Sequence, residues 1–290
     1  MQYLSSLVIT GIAAGALYGL VAMGFAMIYK VSRVVNFAQG EVMMLIAYTA
    51  YTVAAATGGS VLMVILTVIG SAVVVGFVLE RAIIRPMLGQ PVFSIVMMTI
   101  ALAVLIKAVV GMTWGVDPHR FPMNVGSGGL EIMGARLSAA QVWLIGIYAA
   151  MCAAIWAFLR FNVVGIAMRA TASDPTVTML MGVSISRIYR MAWILSALMA
   201  GTAGVLLAMV NNVGIEMSDI GIRAFPAAVM GGLDSVVGAG MAGVLIGVIE
   251  NLAGGYLGTA FKEVAGFAVI LVILMVRPYG FFGERDIERV

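Results

Sequence analysis

Long runs of apolar residues, separated by short polar connections, make up most of the chain. A helix of about 20 apolar residues crosses the hydrocarbon core of a bilayer, so such runs predict membrane-spanning helices. The seven strongest runs cover residues 4–29, 61–79, 93–114, 140–159, 191–210, 236–249 and 264–276. Alternating polar and apolar segments of about ten residues, typical of a transmembrane barrel, do not occur. The pattern therefore predicts an all-α, polytopic integral membrane protein in which all regular structure is helical.

Two further apolar segments are interrupted by polar or helix-breaking residues. Residues 36–56 open with the polar cluster Asn36-Phe-Ala-Gln39-Gly40-Glu41. Residues 224–233 are short and contain Pro226 and a pair of glycines. If both segments cross the membrane as interrupted helices, the chain has about eight to nine transmembrane segments.

The order of long, interrupted and ordinary apolar segments recurs in the two ends of the chain. Residues 1–114 and 191–277 then have opposite topologies, which is typical of an inverted repeat in a transporter. We expect residues 1–290 to form a single permease domain. The connection at 160–190 is expected to be cytoplasmic, because arginines concentrate in it and positive charge favours the inner side of a membrane.

The overall composition excludes several classes of protein. Hydrophobic residues make up 63% of the chain and charged residues 10%, whereas soluble domains carry about 25% charged residues. A soluble enzyme and a nucleic-acid-binding protein are therefore excluded. The single cysteine cannot form an internal disulfide, and we predict no metal site and no cofactor. Glycines four residues apart, at Gly15 and Gly19 and at Gly243 and Gly247, predict close packing between helices.

The polar cluster at residues 36–41 is the first candidate for function. Asn36, Gln39, Gly40 and Glu41 would line a translocation pathway or a gate, because a carboxylate inside a bilayer is tolerated where it faces water or a partner. The structural alternative is that Asn36 caps a helix that begins at the inner interface and that Glu41 stabilises its first turn. The two interpretations are compatible.

A second polar group follows the run at 191–210. Asn211 and Asn212, followed by Glu216, Asp219 and Arg223, have two interpretations: an outer loop that meets a substrate-delivery partner, or the lining of the pathway. Lys107 lies within an apolar run, but its long side chain can extend to the interface, so no function is assigned to it.

The connection from residue 160 to residue 190 has the pattern of two short helices at the cytoplasmic surface. Asp174 is a good N-cap, Pro175 suits the first helical position, and Gly182 suits the residue just after a helix end. The functional interpretation is a docking element for a cytoplasmic partner. The structural alternative is an amphipathic connection that is anchored at the lipid headgroups.

Two motifs resemble those of the branched-chain amino-acid ABC permeases. The segment Gly165-x3-Arg169-Ala170-x3-Asp174, ending at Gly182, resembles the coupling loop of that family. The cluster that starts at Asn36 is similar to its Asn-Phe-Ala-His-Gly-Glu signature, with Gln39 in place of the usual histidine. The resemblance covers nearly the whole chain, and it indicates the shorter of the two permease subunits.

The resemblance implies a permease subunit of an ABC importer, which is not an enzyme, in the inner membrane of a bacterium. Implied partners are two cytoplasmic ATP-binding subunits, a second permease subunit in a homodimer or heterodimer, a periplasmic solute-binding protein and membrane lipid, but no nucleic acid. The sequence has no Gly-Lys dipeptide and hence no phosphate-binding loop of the usual kind, so ATP hydrolysis is expected in separate subunits. Within the family, urea, short amides or aromatic acids are alternative solutes. An ion-coupled secondary transporter or channel is the alternative from a different class.

Overall fold

The computed structural model describes residues 2–87, 89–123, 128–132 and 135–283, and most of the regular structure in them is helical. The elements in chain order are α1 (Gln2–Ser32), α2 (Gln39–Ala56), α3 (Val61–Val78), α4 (Arg85–Met87), α5 (Val92–Trp114), β1 (Gly129–Ile132), β2 (Ala135–Ser138), α6 (Ala139–Phe161), α7 (Val163–Ser173), α8 (Pro175–Leu180), α9 (Ile185–Val210), α10 (Asp219–Gly231), α11 (Val236–Tyr256) and α12 (Thr259–Val276). A π-helical turn, Leu79–Ile84, joins α3 to α4.

Seven helical segments among the described residues are long and apolar enough to cross a membrane. They are α1, the continuous segment from α3 to α4, α5, α6, α9, α11 and α12, and they confirm the seven predicted runs. The antiparallel hairpin of β1 and β2 is an exception to the prediction that all regular structure is helical. The total number of crossings stays a prediction.

The two segments predicted to be interrupted helices have a different form. Both α2 and α10 are continuous, and α10 contains Pro226 without a break. Each is short, with 18 residues in α2 and 13 in α10, and each is preceded by non-helical chain or a short 3-10 turn. The irregular chain in each segment therefore lies before the helix starts.

The helices α1 and α9 form the centre of the bundle. About two-thirds of the most apolar window of each is buried, compared with less than a quarter for α3, α5, α6 and α12. The helix α1 packs against α10 and α11, whereas α9 packs against α2 and α3. Each long central helix therefore supports one short helix and the helix that follows it.

Backbone-to-backbone contact between α1 and α11 is made by glycines. A Cβ atom added at Gly247 would lie 2.3 Å from Gly15 Cα, and one added at Gly243 would lie 2.3 Å from Gly19 Cα. Only glycine fits at such distances, since real side chains never approach a backbone so closely. The predicted role of the four-residue glycine spacing in helix packing is confirmed.

A buried carboxylate joins α9 to the end of α3. Glu80 lies in the π-helical turn with its side chain 1% exposed, and its two oxygens pair with Arg85 Nε at 3.2 Å and Arg190 Nε at 3.4 Å. Arg190 belongs to the first half of α9 and also lies over the ring of Phe77. This cluster fixes the end of α3 beside the connection at 160–190.

The substitution Glu80→Gln is expected to lower the free energy of unfolding by about 1–2 kcal/mol. This is less than the usual cost of breaking a fully buried ion pair, because both arginine side chains are about one-third exposed and keep access to water. The measurement is thermal denaturation of the purified protein in detergent. Asp117→Asn, at an exposed carboxylate, is the matched control, and an equal shift in both variants would contradict the prediction.

Candidate translocation site

The two short helices meet at their N-terminal ends. Gly40, the second residue of α2, packs against the backbone of Ser218 and Gly221 at the start of α10. A Cβ atom at Gly40 would lie 2.0 Å from the carbonyl oxygen of Ser218, so glycine is required for this crossing. We call this crossing the pinch, and it is formed by Gly40, Ser218 and Gly221.

The pinch lies about halfway along the bundle. On one side, the amide of Phe37 bonds to Oγ1 of Thr99 at 3.3 Å, in the first half of α5. On the other side, Trp114 Nε1 at the end of α5 donates to Thr52 Oγ1 of α2 at 2.8 Å. The helix α2 thus covers the half of the bundle near Trp114, which we call the outer half. The opposite, inner half ends at the connection that is predicted to be cytoplasmic.

The predicted cluster at residues 36–39 forms a buried hydrogen-bond network. Asn36 and Gln39 are each 1% exposed. Asn36 Oδ1 accepts from the amide of Ala38 at 3.1 Å, and Asn36 Nδ2 donates to Gln39 Oε1 at 3.3 Å. Ser196 Oγ of α9 lies 3.1 Å from Gln39 Oε1 and 2.9 Å from the carbonyl oxygen of Gly24. The network ties the start of α2 to both central helices.

The expected role of Asn36 as the N-cap of α2 is wrong. Asn36 does not cap α2, because the N-cap residue is Ala38, which makes no side-chain capping bond. Asn36 instead closes the turn before the helix. Glu41 does lie in the first turn of α2, where a carboxylate interacts favourably with the positive end of the helix dipole.

Charged residues from three helices lie on the outer side of the pinch. Lys107 Nζ of α5 is 3.6 Å from Asp219 Oδ1 in the first turn of α10. Glu41 of α2 is half-buried and interacts electrostatically with both Lys107 and Asp219. At 1.5 Å per residue, Lys107 lies about 10 Å inward from the end of α5 at Trp114. These charges therefore lie within the depth of a bilayer.

A second charged group connects α10 to α1 and α11. The hydroxyl of Tyr18 in α1 interacts with both Arg223 of α10 and Glu250 of α11. Glu250 is 4% exposed, in the second half of a helix that continues to Tyr256. Asp219 belongs to the first group and Arg223 to the second, so α10 contributes one charged residue to each group.

Aromatic side chains lie on the inner side of the pinch. The ring of Phe225 in α10 is 5.8 Å from that of Phe25 in α1 and 5.7 Å from that of Phe37. Phe225 lies between one and two turns inward from Asp219 along α10. The charged residues and the aromatic cluster are therefore separated by the pinch.

A cavity of about 690 Å³ opens on the outer side of α10. Its polar lining includes Asn211, Asn212, Asp219 and Arg223, and its size falls in the ~300–1,000 Å³ range of small-molecule sites. The predicted candidates Asn211 and Asn212 are thus at the cavity, whereas Asn36 and Gln39 lie in the buried network and do not line it. The structure does not bring the two pairs of amides together.

The pairing of Lys107 in α5 with Asp219 in α10 was not predicted from the sequence. The outer-loop interpretation is wrong for Asp219 and Arg223, because both belong to α10 and line the cavity. The side chain of Lys107 reaches Asp219 at the start of α10. The signal available in the sequence was the ammonium group inside an apolar run, which requires a partner at that depth.

His119 fixes the outer edge of the cavity. Its ring stacks on Tyr51 at 5.2 Å, and its backbone exchanges two hydrogen bonds with Val213, each 2.8 Å long. These bonds attach the segment after α5 to the chain that enters α10. The outer rim of the cavity is therefore held by an isolated β-bridge.

The connection at 160–190 folds as two short helices, which confirms its predicted local structure. Asp174 ends α7 and caps α8, with Oδ1 accepting from the amides of Thr176 and Val177. Pro175 is the first residue of α8, and Gly182 has a φ of 84° after the helix end.

The five candidate residues of this connection differ in exposure. Gly165 is buried, and its missing side chain lets α7 pack on the end of α6, where a Cβ would lie 2.3 Å from the carbonyl oxygen of Phe158. Arg169, Ala170, Asp174 and Gly182 are all exposed. The exposed residues leave this surface open to another molecule.

The fold and the site together define a multi-pass membrane transport subunit. Central helices hold two short helices whose ends meet beside charges at bilayer depth, and a cavity leads to that point. Irregular backbone and charge at this depth are tolerated beside protein or a wet cavity, and they mark solute pathways.

Comparison with known proteins identifies the family. A family model described as the permease component of the branched-chain amino acid transport system matches residues 7–276. The chain therefore belongs to this permease family, and it is a transport subunit rather than an enzyme.

Characterised relatives cover almost the full chain. The chain is 30% identical to the high-affinity branched-chain amino acid transport system permease protein LivH of Salmonella typhimurium, over 97% of this chain and 96% of the relative. It is 32% identical to the corresponding permease protein BraD of Pseudomonas aeruginosa, over 100% of this chain and 98% of the relative.

One solved structure has a similar fold. The structure of PsaBC from Streptococcus pneumoniae in complex with Fab aligns with a TM-score of 0.52 and 14% identity, covering 96% of this chain and 93% of that chain. At this identity the likeness supports the fold alone.

Proposed function

We propose that the chain forms half of the translocation pathway of an ABC importer for branched-chain amino acids in a bacterial inner membrane. The pathway runs from the outer cavity through the pinch and past the aromatic cluster. Residues Asn36, Gln39, Gly40 and Glu41 form the gate region, and Asn211 and Asn212 line the entrance. Halves 1–114 and 191–277 would act as an inverted repeat, which the matched packing of α1 and α9 supports.

One observation carries this proposal: an open pair of charges at bilayer depth. The side chain of Lys107 is 42% exposed and that of Asp219 is 55% exposed. Charged side chains at this depth do not face lipid. A second permease chain that covers this face would enclose the charges in a wet pathway between the two chains.

The inner connection supports separate ATP-binding subunits as partners. Three successive apolar side chains at the end of α8, Met179, Leu180 and Met181, are 58%, 79% and 80% exposed. Exposed apolar patches with a polar rim mark protein interaction sites. We propose that this surface, with Gly165, Arg169, Ala170, Asp174 and Gly182 shaping it, transmits ATP-driven motion to the bundle.

Arg169→Glu is expected to reduce coupled uptake about tenfold while ATP hydrolysis by the assembled complex continues, which corresponds to a coupling free energy of about 1.4 kcal/mol. The Arg169 side chain is exposed, so reversing its charge is expected to act on the partner. The measurement is solute uptake per ATP hydrolysed in proteoliposomes. Arg187→Glu, also exposed on the same connection, is the matched control. Unchanged coupled uptake in the Arg169 variant would refute the assignment.

Reconstitution tests the proposed class of transporter. The chain is purified alone, and also with the proposed ATP-binding subunits, second permease and solute-binding protein. ATP-dependent uptake of L-leucine by the full complex alone supports the proposal. Uptake by the isolated chain with an ion gradient would favour an ion-coupled carrier, and uptake of urea or an aromatic acid in place of leucine would reassign the solute.

A further inference from the structure

Three charged side chains lie near one another on the outer side of the pinch, two acidic and one basic. They are Glu41 of α2, Lys107 of α5 and Asp219 of α10. Asp219 and Arg223 line the cavity of about 690 Å³, and Lys107 reaches Asp219 from the facing helix. Arg223 also interacts with Tyr18, which holds it on the side toward α1.

The Lys107–Asp219 pair has the geometry of a loose contact. Its atoms are 3.6 Å apart, whereas strong charge-assisted hydrogen bonds measure about 2.7–2.9 Å. About half of each side chain is exposed. By contrast, Glu80 at the inner end is buried and shared between two arginines, as a structural ion pair should be. A loose and open pair at bilayer depth is poorly suited to stabilising the fold, and it can exchange partners at low cost.

Apolar side chains complete the surroundings of the pair. Leu207, Ile215 and Ile220 line the same cavity. An apolar surface beside paired opposite charges matches a small molecule that carries one positive group, one negative group and an apolar side chain. An uncharged amide or urea would leave these charges without new partners.

We infer that the Lys107–Asp219 pair opens to bind the zwitterionic head of an α-amino acid. Lys107 pairs with the α-carboxylate, Asp219 accepts from the α-ammonium group, and Glu41 adds negative charge on the ammonium side. The apolar side chain of the amino acid contacts the apolar lining of the cavity. This inference rests on the proposed function, because it names the residues that recognise the solute of that pathway.

The test uses the full complex with its solute-binding protein in proteoliposomes and L-leucine as the probe. Lys107→Met is expected to reduce leucine uptake per ATP about tenfold or more, since the carboxylate loses its charged partner. ATP hydrolysis stimulated by the loaded binding protein is expected to stay within about twofold, because the proposed coupling surface lies on the connection at 160–190. Lys107→Arg keeps the charge and should retain most of the uptake. Arg120→Met, at an exposed site in the outer connection, is the matched control.

Each outcome decides the inference. Uptake by Lys107→Met equal to that of the unchanged complex would overturn it and leave the importer assignment intact. A parallel loss of uptake and ATP hydrolysis would assign the pair to folding or gating, and it would also overturn the inference. Failure of the unchanged complex to take up leucine with ATP would instead count against the proposed function itself.

Discussion

The substitution Gly40→Ala is expected to reduce solute uptake by about tenfold or more. Its Cβ would lie 2.0 Å from the carbonyl oxygen of Ser218 and 3.1 Å from Gly221 Cα, while ordinary contacts begin near 3.4 Å. The atoms that it meets are backbone, so no side chain can rotate away. The starts of α2 and α10 must then separate, and because packed interfaces adopt discrete arrangements, the contact that forms the pinch would be lost.

A graded series makes this expectation specific to the pinch. Gly221→Ala should have a smaller effect, because its Cβ would lie 2.7 Å from Gly40 Cα. Gly146→Ala in α6 is the control, since nothing lies within 4 Å of its added Cβ. Uptake and ATP hydrolysis are measured on complexes of equal abundance and melting temperature. Normal uptake by the Gly40 variant would show that the helix ends are not in contact during transport.

The substitution Gly247→Val is expected to destabilise the folded protein by about 3 kcal/mol or more. The first added carbon would lie 2.3 Å from both Cα and N of Gly15, and 2.7 Å from the carbonyl oxygen of Gly11. The pairing of α1 and α11 could then form only at a greater separation, with loss of contacts along both helices. The result is expected as a large drop in monodisperse protein after detergent extraction and in its thermal midpoint.

Gly70→Val provides the comparison for this second expectation. Gly70 also lies within a membrane-spanning helix, but nothing lies within 4 Å of its added Cβ. Both substitutions remove a glycine from a helix, so their propensity effects are alike. Equal thermal midpoints for the two variants would contradict the close contact of α1 with α11.

The sequence predicted those features that depend on local pattern. Hydropathy located seven spans because the bilayer imposes a fixed apolar length on each. The ends of α8 were predictable because the cap at Asp174 and the glycine at 182 act within a few residues of chain. The start of α2 was not, because Ala38 lacks a capping side chain and the position is set by contacts with Gly24 and Ser196.

The site itself was only partly predictable. Polar character within or beside apolar runs identified Asn211, Asn212 and Glu41. In the structure, the two asparagines line the cavity, and Glu41 lies near the Lys107–Asp219 pair. The partner of Lys107 could not be identified, since Asp219 is distant in sequence and the pairing depends on how α5 and α10 meet. Tertiary geometry of this kind leaves no periodic signal.

The packing of α1 against α11 has a consequence for biosynthesis. The first helix leaves the ribosome roughly 200 residues before its main partner, a delay of about 10–40 s at ~5–20 residues per second. During that interval its glycine surface has no backbone to contact. A nascent chain that stalls before α11 therefore leaves the glycine surface of the first helix uncovered, and such a truncated product should be a substrate for quality-control proteases.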